Sequence, residues 1–308
     1  IGNSSNRMRA AFGTKGARDV IFRHNTIVGD LPARAFAMRL NTEGSNPPND
    51  NIAFYNNIWS DPTGTMGEAA NPNMFAEAPP GQSQNVTLDN NLYWNGDNPI
   101  PTRNDQSVNY TDDTNPTIAN PLLDDQSGLI LPTWNPNTGQ FGDGSAMIRE
   151  VFVNLVNLYG RPAPTSPALN SADPTNSPTT DILNNPRIGA TDIGAFEFQP
   201  ALDITPDYRS ITAGQTAIYL VRFTGEDGQT ITLTVNNPDS TNLNITFDST
   251  TLISGQETGL VITSLHTALA APVLYTIPVT ATGSGLNETA TTELLVGGST
   301  TYLPLIVR

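Results

Sequence analysis

The stretch Val20-Ile-Phe-Arg-His-Asn25-Thr-Ile27 returns twice in altered form. It reappears as Ile52-Ala-Phe-Tyr-Asn-Asn57-Ile-Trp59 and as Val86-Thr-Leu-Asp-Asn-Asn91-Leu-Tyr93. Each copy has apolar residues two apart, which is the period of a strand with one buried face. An asparagine follows where such a strand should turn, because its side chain bonds nearby backbone and tolerates left-handed geometry. A large apolar residue comes two places later. The copies lie 32 and 34 residues apart. Matching segments at so even a spacing are the mark of a solenoid, in which each repeat buries its face against the next. Stacked Asn25, Asn57 and Asn91 are then expected to form an amide ladder inside the coil. A β-sandwich with three similar strands is the alternative.

Working outward, Arg34-Ala-Phe-Ala-Met-Arg-Leu40 reads as a second strand of one coil. Glu43–Asp50 and Asp61–Gln84, rich in Pro, Gly and Asn, read as inserted surface loops. A helix is expected over Gly144–Gly160. Its apolar residues Ile148, Val151, Phe152, Leu155, Val156 and Tyr159 recur at three and four, Ser145 is placed to cap it and Gly160 to stop it.

Composition bounds the answer. The chain has 308 residues, net charge −15, no cysteine, 33 asparagines and a single lysine, Lys15. Two domains is the natural prior, at about 150 residues each. Zero cysteine excludes disulfides and thiolate metal sites. The acidic balance speaks against nucleic acid, and no apolar run approaches the roughly 18 residues of a membrane span. The chain opens on Ile1, not Met, and reads as truncated or processed at its N-terminus.

Two later segments carry a resemblance. Ser166-Pro-Ala-Leu-Asn170 and Arg187-Ile-Gly-Ala-Thr-Asp-Ile-Gly-Ala-Phe-Glu197 resemble the closing motifs of secreted bacterial right-handed parallel β-helix repeat proteins. Asn170 departs from that pattern, standing where an acidic residue is common. The resemblance covers about residues 1–198. It implies an all-β coil whose final segment is a structural end, and it invites an enzyme reading. Lyases of the fold use an Arg or Lys base, often with calcium, and hydrolases use paired carboxylates. Candidate bases are Arg23, Arg39 and Arg103; candidate carboxylates are Asp89, Asp112, Asp113, Asp124 and Asp125. No lyase or hydrolase signature matches residue by residue.

From residue 199 to 297 the texture changes to short Thr- and Val-rich strands. They are read at Gln215–Phe223, Thr230–Val235, Gly259–Ser264, Tyr275–Thr282 and Thr289–Val296. Turns at Asp227-Gly228, Asn237-Pro238 and Gly283–Gly285 separate them, which argues an Ig-like β-sandwich. Ile211-Thr-Ala-Gly-Gln215 and Tyr275–Ala281 resemble bacterial Ig-like surface modules. The tail, 298–308, ends in Tyr302-Leu-Pro-Leu-Ile-Val-Arg308, which resembles the termini of secreted Chloroflexota proteins. It reads as an edge strand, an attachment signal or a strand donated to a neighbour.

Metal sites are poorly supplied. His24 and His266 are the only histidines, and His24 reads as a coil-turn residue. Asp112, Asp113, Asp124 and Asp125 are the candidates for calcium, the one cofactor considered, though none fits an EF-hand loop. Of five glycosylation sequons, Asn109 and Asn287 lie in expected loops. Tyr55, Trp59, Tyr93, Trp94 and Tyr110 are able to stack on sugars, but Trp59 and Tyr93 share the repeat position of Ile27 and read as core. Charge is polarised. Residues 1–40 carry seven basic and two acidic side chains, residues 41–200 four and eighteen. That pattern fits head-to-tail association, an acidic partner, or equally the pairing of the basic coils with sequence upstream of Ile1.

The sequence thus favours a secreted, non-catalytic structural or adhesive protein, self-associating or binding another extracellular protein, with filament assembly as the specific version. The alternative is a secreted polysaccharide lyase or glycoside hydrolase.

Overall fold

The computed structural model describes residues 10–29, 35–66, 74–126, 131–283 and 286–298. Two compact units, 1–198 and 199–308, divide the chain.

The first unit contains β1 (Phe12–Thr14), β2 (Arg18–Arg23), β3 (Thr26–Val28), β4 (Ala35–Leu40), β5 (Asn49–Tyr55), β6 (Ile58–Ser60), β7 (Met74–Glu77), β8 (Ser83–Asp89), β9 (Leu92–Trp94) and β10 (Thr117–Ile118). They form three parallel sheets, β1-β4-β7, β2-β5-β8 and β3-β6-β9-β10. Strand n of each coil therefore lies on strand n of the next, as in a parallel β-helix. Register follows the repeats: Val20 pairs with Ile52 and Ile52 with Val86, while Ile27, Trp59 and Tyr93 align in turn.

One expectation needs correction. The stretch 61–84 is not only loop, because Met74–Glu77 is the third strand of the first sheet, with Phe75 fully buried. A fourth, partial rung also exists: Thr117 pairs with Leu92, 25 positions earlier.

The interior is an aromatic stack. Phe22 lies on Phe54 at 5.0 Å and 15°, Trp59 on Tyr93 at 5.4 Å and 9°, and Phe75 meets Tyr93 edge-on. Trp59 and Tyr93 are fully buried core residues. Such pairs add about 0.5–1.5 kcal/mol each beyond their buried area.

Left-handed residues make the corners. Asp19, Asn51 and Asn85 form one column with φ of 53–58°, and His24, Asn56 and Asn90 another with φ of 51–60°. The ladder asparagines stand one position later. At the second column two neighbouring residues share each corner, the first bending the chain and the second turning its amide inward.

Beyond the coils, β11 (Trp134–Asn135) pairs with β12 (Gln140–Phe141), and α1 spans Ile148–Tyr159. Ser145 does not cap α1, because its hydroxyl is held by Asp143. Glu150 takes that role, accepting from the backbone N–H of Ala146 and Met147. Only Val151 and Val156 of its apolar residues are buried; Ile148 and Phe152 are exposed.

The second unit is an Ig-like sandwich. It runs β13 (Ala201–Thr205), β14 (Tyr208–Ile211), β15 (Thr216–Thr224), β16 (Thr230–Val235), β17 (Leu243–Phe247), β18 (Thr251–Ile253), β19 (Glu257–Ser264), β20 (Val273–Gly283) and β21 (Leu286–Val296). Sheets β13-β15-β19-β17 and β14-β21-β20-β16-β18 share one core. β15 alternates strictly, burying Ala217, Tyr219, Val221 and Phe223. β13, β14, β17 and β18 add to the expected strands. The Gly283–Gly285 turn falls partly, and the Tyr302–Arg308 tail wholly, outside the described residues.

Candidate functional site

Along the second corner runs a hydrogen-bonded amide column. Asn25 Nδ2 donates to Asn57 Oδ1 at 2.8 Å, Asn57 Nδ2 to Asn91 Oδ1 at 2.9 Å, and Asn91 Nδ2 to Asp113 Oδ2 at 2.7 Å. The amides also reach across to the preceding coil, Asn57 to Phe22 O and Asn91 to Phe54 O. Asn57, Asn91 and Asp113 are buried.

Asp113, a candidate calcium ligand, is the terminus of this column. Its two oxygens accept from the N–H of Asn90, Asn91 and Asn115, from Asn91 Nδ2 and from Tyr93 OH. Burial and this carboxyl push the Tyr93 phenol well above its usual pKa. With five donors upon it, Asp113 has no lone pair directed at an ion. Asp112 accepts from Asn109 N at 2.7 Å, while Asp124 and Asp125 lie exposed ahead of α1. Among the described residues no group of three His, Asp or Glu is gathered as for a metal.

The outer corner column had no counterpart in the sequence reading. Asn90 Nδ2 donates to Asn56 Oδ1 at 3.0 Å, and Asn56 Nδ2 to His24 Nε2 at 3.1 Å. Its members grip the closing segment. Asn90 holds Ser171 O, Asn56 holds the backbone of Asp173, and His24 holds Ser177 Oγ and Gly194 O. Residues 171–195 are therefore a flap along the side of the stack, where an end piece was expected. Ile193 and Ala168 cover Ile58 and Leu92, which point outward from β6 and β9. Gly194 (φ +98°) is required, since a Cβ there would lie 2.6 Å from Ile58 Cδ1.

His24 is a coil-turn residue with a second task. Gly194 O only accepts, so Nδ1 carries the proton and Nε2 receives one from Asn56. Burial, then the positive charges of Arg187 and Arg23, lower its pKa from 6.5 to about 4. Between those values the unfolded chain binds more protons than the folded one. The stability supplied by neutral His24 is whole above pH 6.5 and is lost as pH falls to 4, about 3 kcal/mol in all. Unfolding followed by tryptophan fluorescence should show this slope, and His24→Asn, which continues the column, should flatten it. An equal slope in the variant would refute the assignment.

The remaining candidates are committed elsewhere. Arg39 grips Glu77 through Nε (2.5 Å) and Nη2 (2.9 Å), Arg103 grips Asp105, and Arg23 reaches Asn176 O at 3.5 Å. Asp89 accepts from Asn115. Three of the basic side chains of residues 1–40 pair with acids of the next coil: Lys15–Glu43, Arg18–Asp50 and Arg39–Glu77. Asn109 is not a free loop amide, because both its ends bond the backbone of Arg103. Asn287 is exposed but lies within β21, whose pairing with β20 extends to Gly283–Leu286. In the second unit, His266 Nε2 meets Tyr275 OH, which donates to Asp239.

One cleft adjoins the two columns. About 420 Å³ in volume, it lies between the first coil (Phe12, Arg23, Asn25, Ile27) and the flap (Thr180, Ile182). Of its charged lining residues, Arg187 is paired with Glu197 and Asp181 accepts from the N–H of Leu183 and Asn185, whereas Arg23 is exposed and reaches only the Asn176 carbonyl, at 3.5 Å.

No family model and no curated protein matches the chain. Solved structures overlap with about a third of it. The BIgI domain of beta protein from S. agalactiae, bound to CEACAM1, is 15% identical over 32% of this chain and 96% of that one, with TM-score 0.23. Domains 4 and 5 of the S-layer protein SbsC are 11% identical over 32% and 54%, TM-score 0.24. The VesB protease of Vibrio cholerae is 12% identical over 32% of each chain, TM-score 0.26. Overlaps this limited carry no argument about function. Among the described residues, no helix is long and apolar enough to cross a membrane.

Proposed function

We propose that the protein is a secreted, non-catalytic structural or adhesive protein, a coil stack that extends and attaches a surface module. The observation that carries this reading is the fate of its charges. Among the candidates for acid–base chemistry, Arg39 and Arg103 are each paired with a carboxylate, Glu77 and Asp105, and Asp113 is buried under the donors of Asn91 and Tyr93. A lyase base or a hydrolase carboxylate pair must instead face a substrate proton or water. The closing motif supports secretion, and assembly of coil stacks into a filament is the finer form of the reading.

Purified protein incubated with pectin, alginate and other uronate polymers should release neither reducing ends nor unsaturated uronides. Turnover with any of them overturns the reading in favour of a lyase or hydrolase.

A further inference from the structure

The flap is fastened to the coils almost wholly by side chains. Among the described residues, one backbone-to-backbone bond joins residues 171–195 to the stack, from Gly194 N to Asn56 O at 2.9 Å. Asn90 holds Ser171 O, Asn56 holds both backbone groups of Asp173, and Thr26 Oγ1 takes Ala195 N. His24 supplies two more points, Ser177 Oγ and Gly194 O. The coils, in contrast, are joined by backbone ladders, β2 to β5 and β5 to β8. A change confined to the corner side chains therefore loosens the flap before it loosens the stack.

His24 fits its place only while neutral. The Asn56 amide cannot turn over, because Oδ1 accepts from Asn90 Nδ2 (3.0 Å) and Asp173 N (2.8 Å) while Nδ2 donates to Asp173 O (3.0 Å). Its second N–H is thereby fixed on His24 Nε2, at 3.1 Å. A proton on Nε2 sets donor against donor, and the one acceptor in its reach is the Ser177 hydroxyl, itself part of the flap. Gly194 O already accepts from Arg187 Nη2 at 2.9 Å as well as from His24 Nδ1 at 3.1 Å. An imidazolium would share that carbonyl with a second buried cation. The other charges around it give no relief. Arg23, on its own strand, is positive. On the flap, Glu197 is spent on Arg187, Asp181 on Leu183 N and Asn185 N, Asp192 on Asn170 N and Phe198 N, and Asp173 on Thr175 N and Asn176 Nδ2. The second coil presents the neutral Asn56 amide and the Tyr55 carbonyl.

We propose that the flap is an acid-operated switch. A proton on His24 breaks its hold on Ser177 and Gly194 and, through Asn56, the hold on Asp173, so that residues 171–195 leave the coils while the coils stay stacked. Opening uncovers the apolar strip of Ile58 and Leu92, over which Ile193 now lies. The sign follows from which state takes the proton. Closed, the histidine has its pKa lowered to about 4; open, it stands at the surface near 6.5. Between those values the open state binds more protons, so the opening constant rises about tenfold per pH unit as pH falls, roughly 300-fold in all.

Hydrogen exchange read by mass spectrometry on the 308-residue chain separates flap from coils, once rates are corrected for the intrinsic effect of pH on exchange. Peptides from 172–181 and 191–195 should lose protection about tenfold per unit below pH 6.5, while β5 and β8 remain protected at about pH 4.5. The dye 1-anilinonaphthalene-8-sulfonate should brighten over the same range as Ile58 and Leu92 are uncovered. His24→Asn suits the left-handed corner (φ 51°) and takes no proton, so both responses should vanish in it. If that variant holds the flap open already at neutral pH, imidazole NMR of the parent chain decides. His24 and His266 are its only histidines, and the His24 signals should titrate in step with flap exchange. Flap protection indifferent to pH, an equal acid response in a His24→Asn chain whose flap is closed at neutral pH, His24 signals out of step with exchange, or flap and coils losing protection together would each overturn the switch.

Discussion

Replacing Glu197 by glutamine lowers the stability of the coil unit by about 3–5 kcal/mol, the range for stripping a buried ion pair of one partner. Arg187 and Glu197 side chains are each 2% exposed, with Nη1 and Oε2 2.7 Å apart. Glu197 also accepts from Ile188 N and Asp192 N, and Arg187 holds the carbonyls of Asp192 and Gly194. Glutamine keeps the shape but leaves a guanidinium inside the protein without its counter-charge, and sets an amide N–H against another donor. The double variant Arg187→Met with Glu197→Leu should recover most of the loss, since it removes both charges that had to leave water. Denaturant unfolding read by tryptophan fluorescence isolates the right unit, because Trp59, Trp94 and Trp134 all precede residue 199. A loss under about 1 kcal/mol would mean that the closing motif is held by something other than this pair.

Asn57→Asp is expected to cost a similar amount, about 4 kcal/mol at neutral pH. The change is nearly isosteric, yet Asn57 is fully buried and uses its Nδ2 to donate to Phe22 O and Asn91 Oδ1. An oxygen there faces two acceptors and brings a charge into the interior. Burial raises the pKa of the new carboxyl, so the penalty grows above the unfolded value near pH 4 and shrinks as pH falls toward it. That acid rescue runs opposite to the His24 slope of the parent chain. If Asn57→Asp unfolds at the same denaturant concentration as the parent, the amide column does not carry the stack.

Much of the coil was legible because the core-packed pairs Val20/Phe22, Ile52/Phe54 and Val86/Leu88 repeat with an asparagine at one offset, and parallel stacking makes equal offsets neighbours. β7 escaped notice because Met74–Glu77 brings no asparagine and follows a long insertion. The place of Asp113 in the column was hidden for a related reason. The last rung is shorter, and a carboxyl replaces the amide that the pattern leads one to seek. The outer column was visible in principle. Asp19, Asn51 and Asn85, like His24, Asn56 and Asn90, keep the spacings of 32 and 34. The grip of that column on residues 171–195 was not, because nothing local marks a partner so distant in the chain. In the second unit, alternation exposed the long strands β15, β16 and β20, whereas Leu243–Phe247 hid among the asparagines and threonines around it.

A stack whose rungs touch only their neighbours ought to fray from either end and to unfold piecemeal. The flap changes that. It ties His24 to Ser177 and Gly194, residues 153 and 170 positions away, and touches the two coils between on its way. The coil that carries His24 is therefore locked only once residues up to Gly194 have emerged. Removing the latch should turn one cooperative melting event into a graded one, beginning at the coil that carries His24.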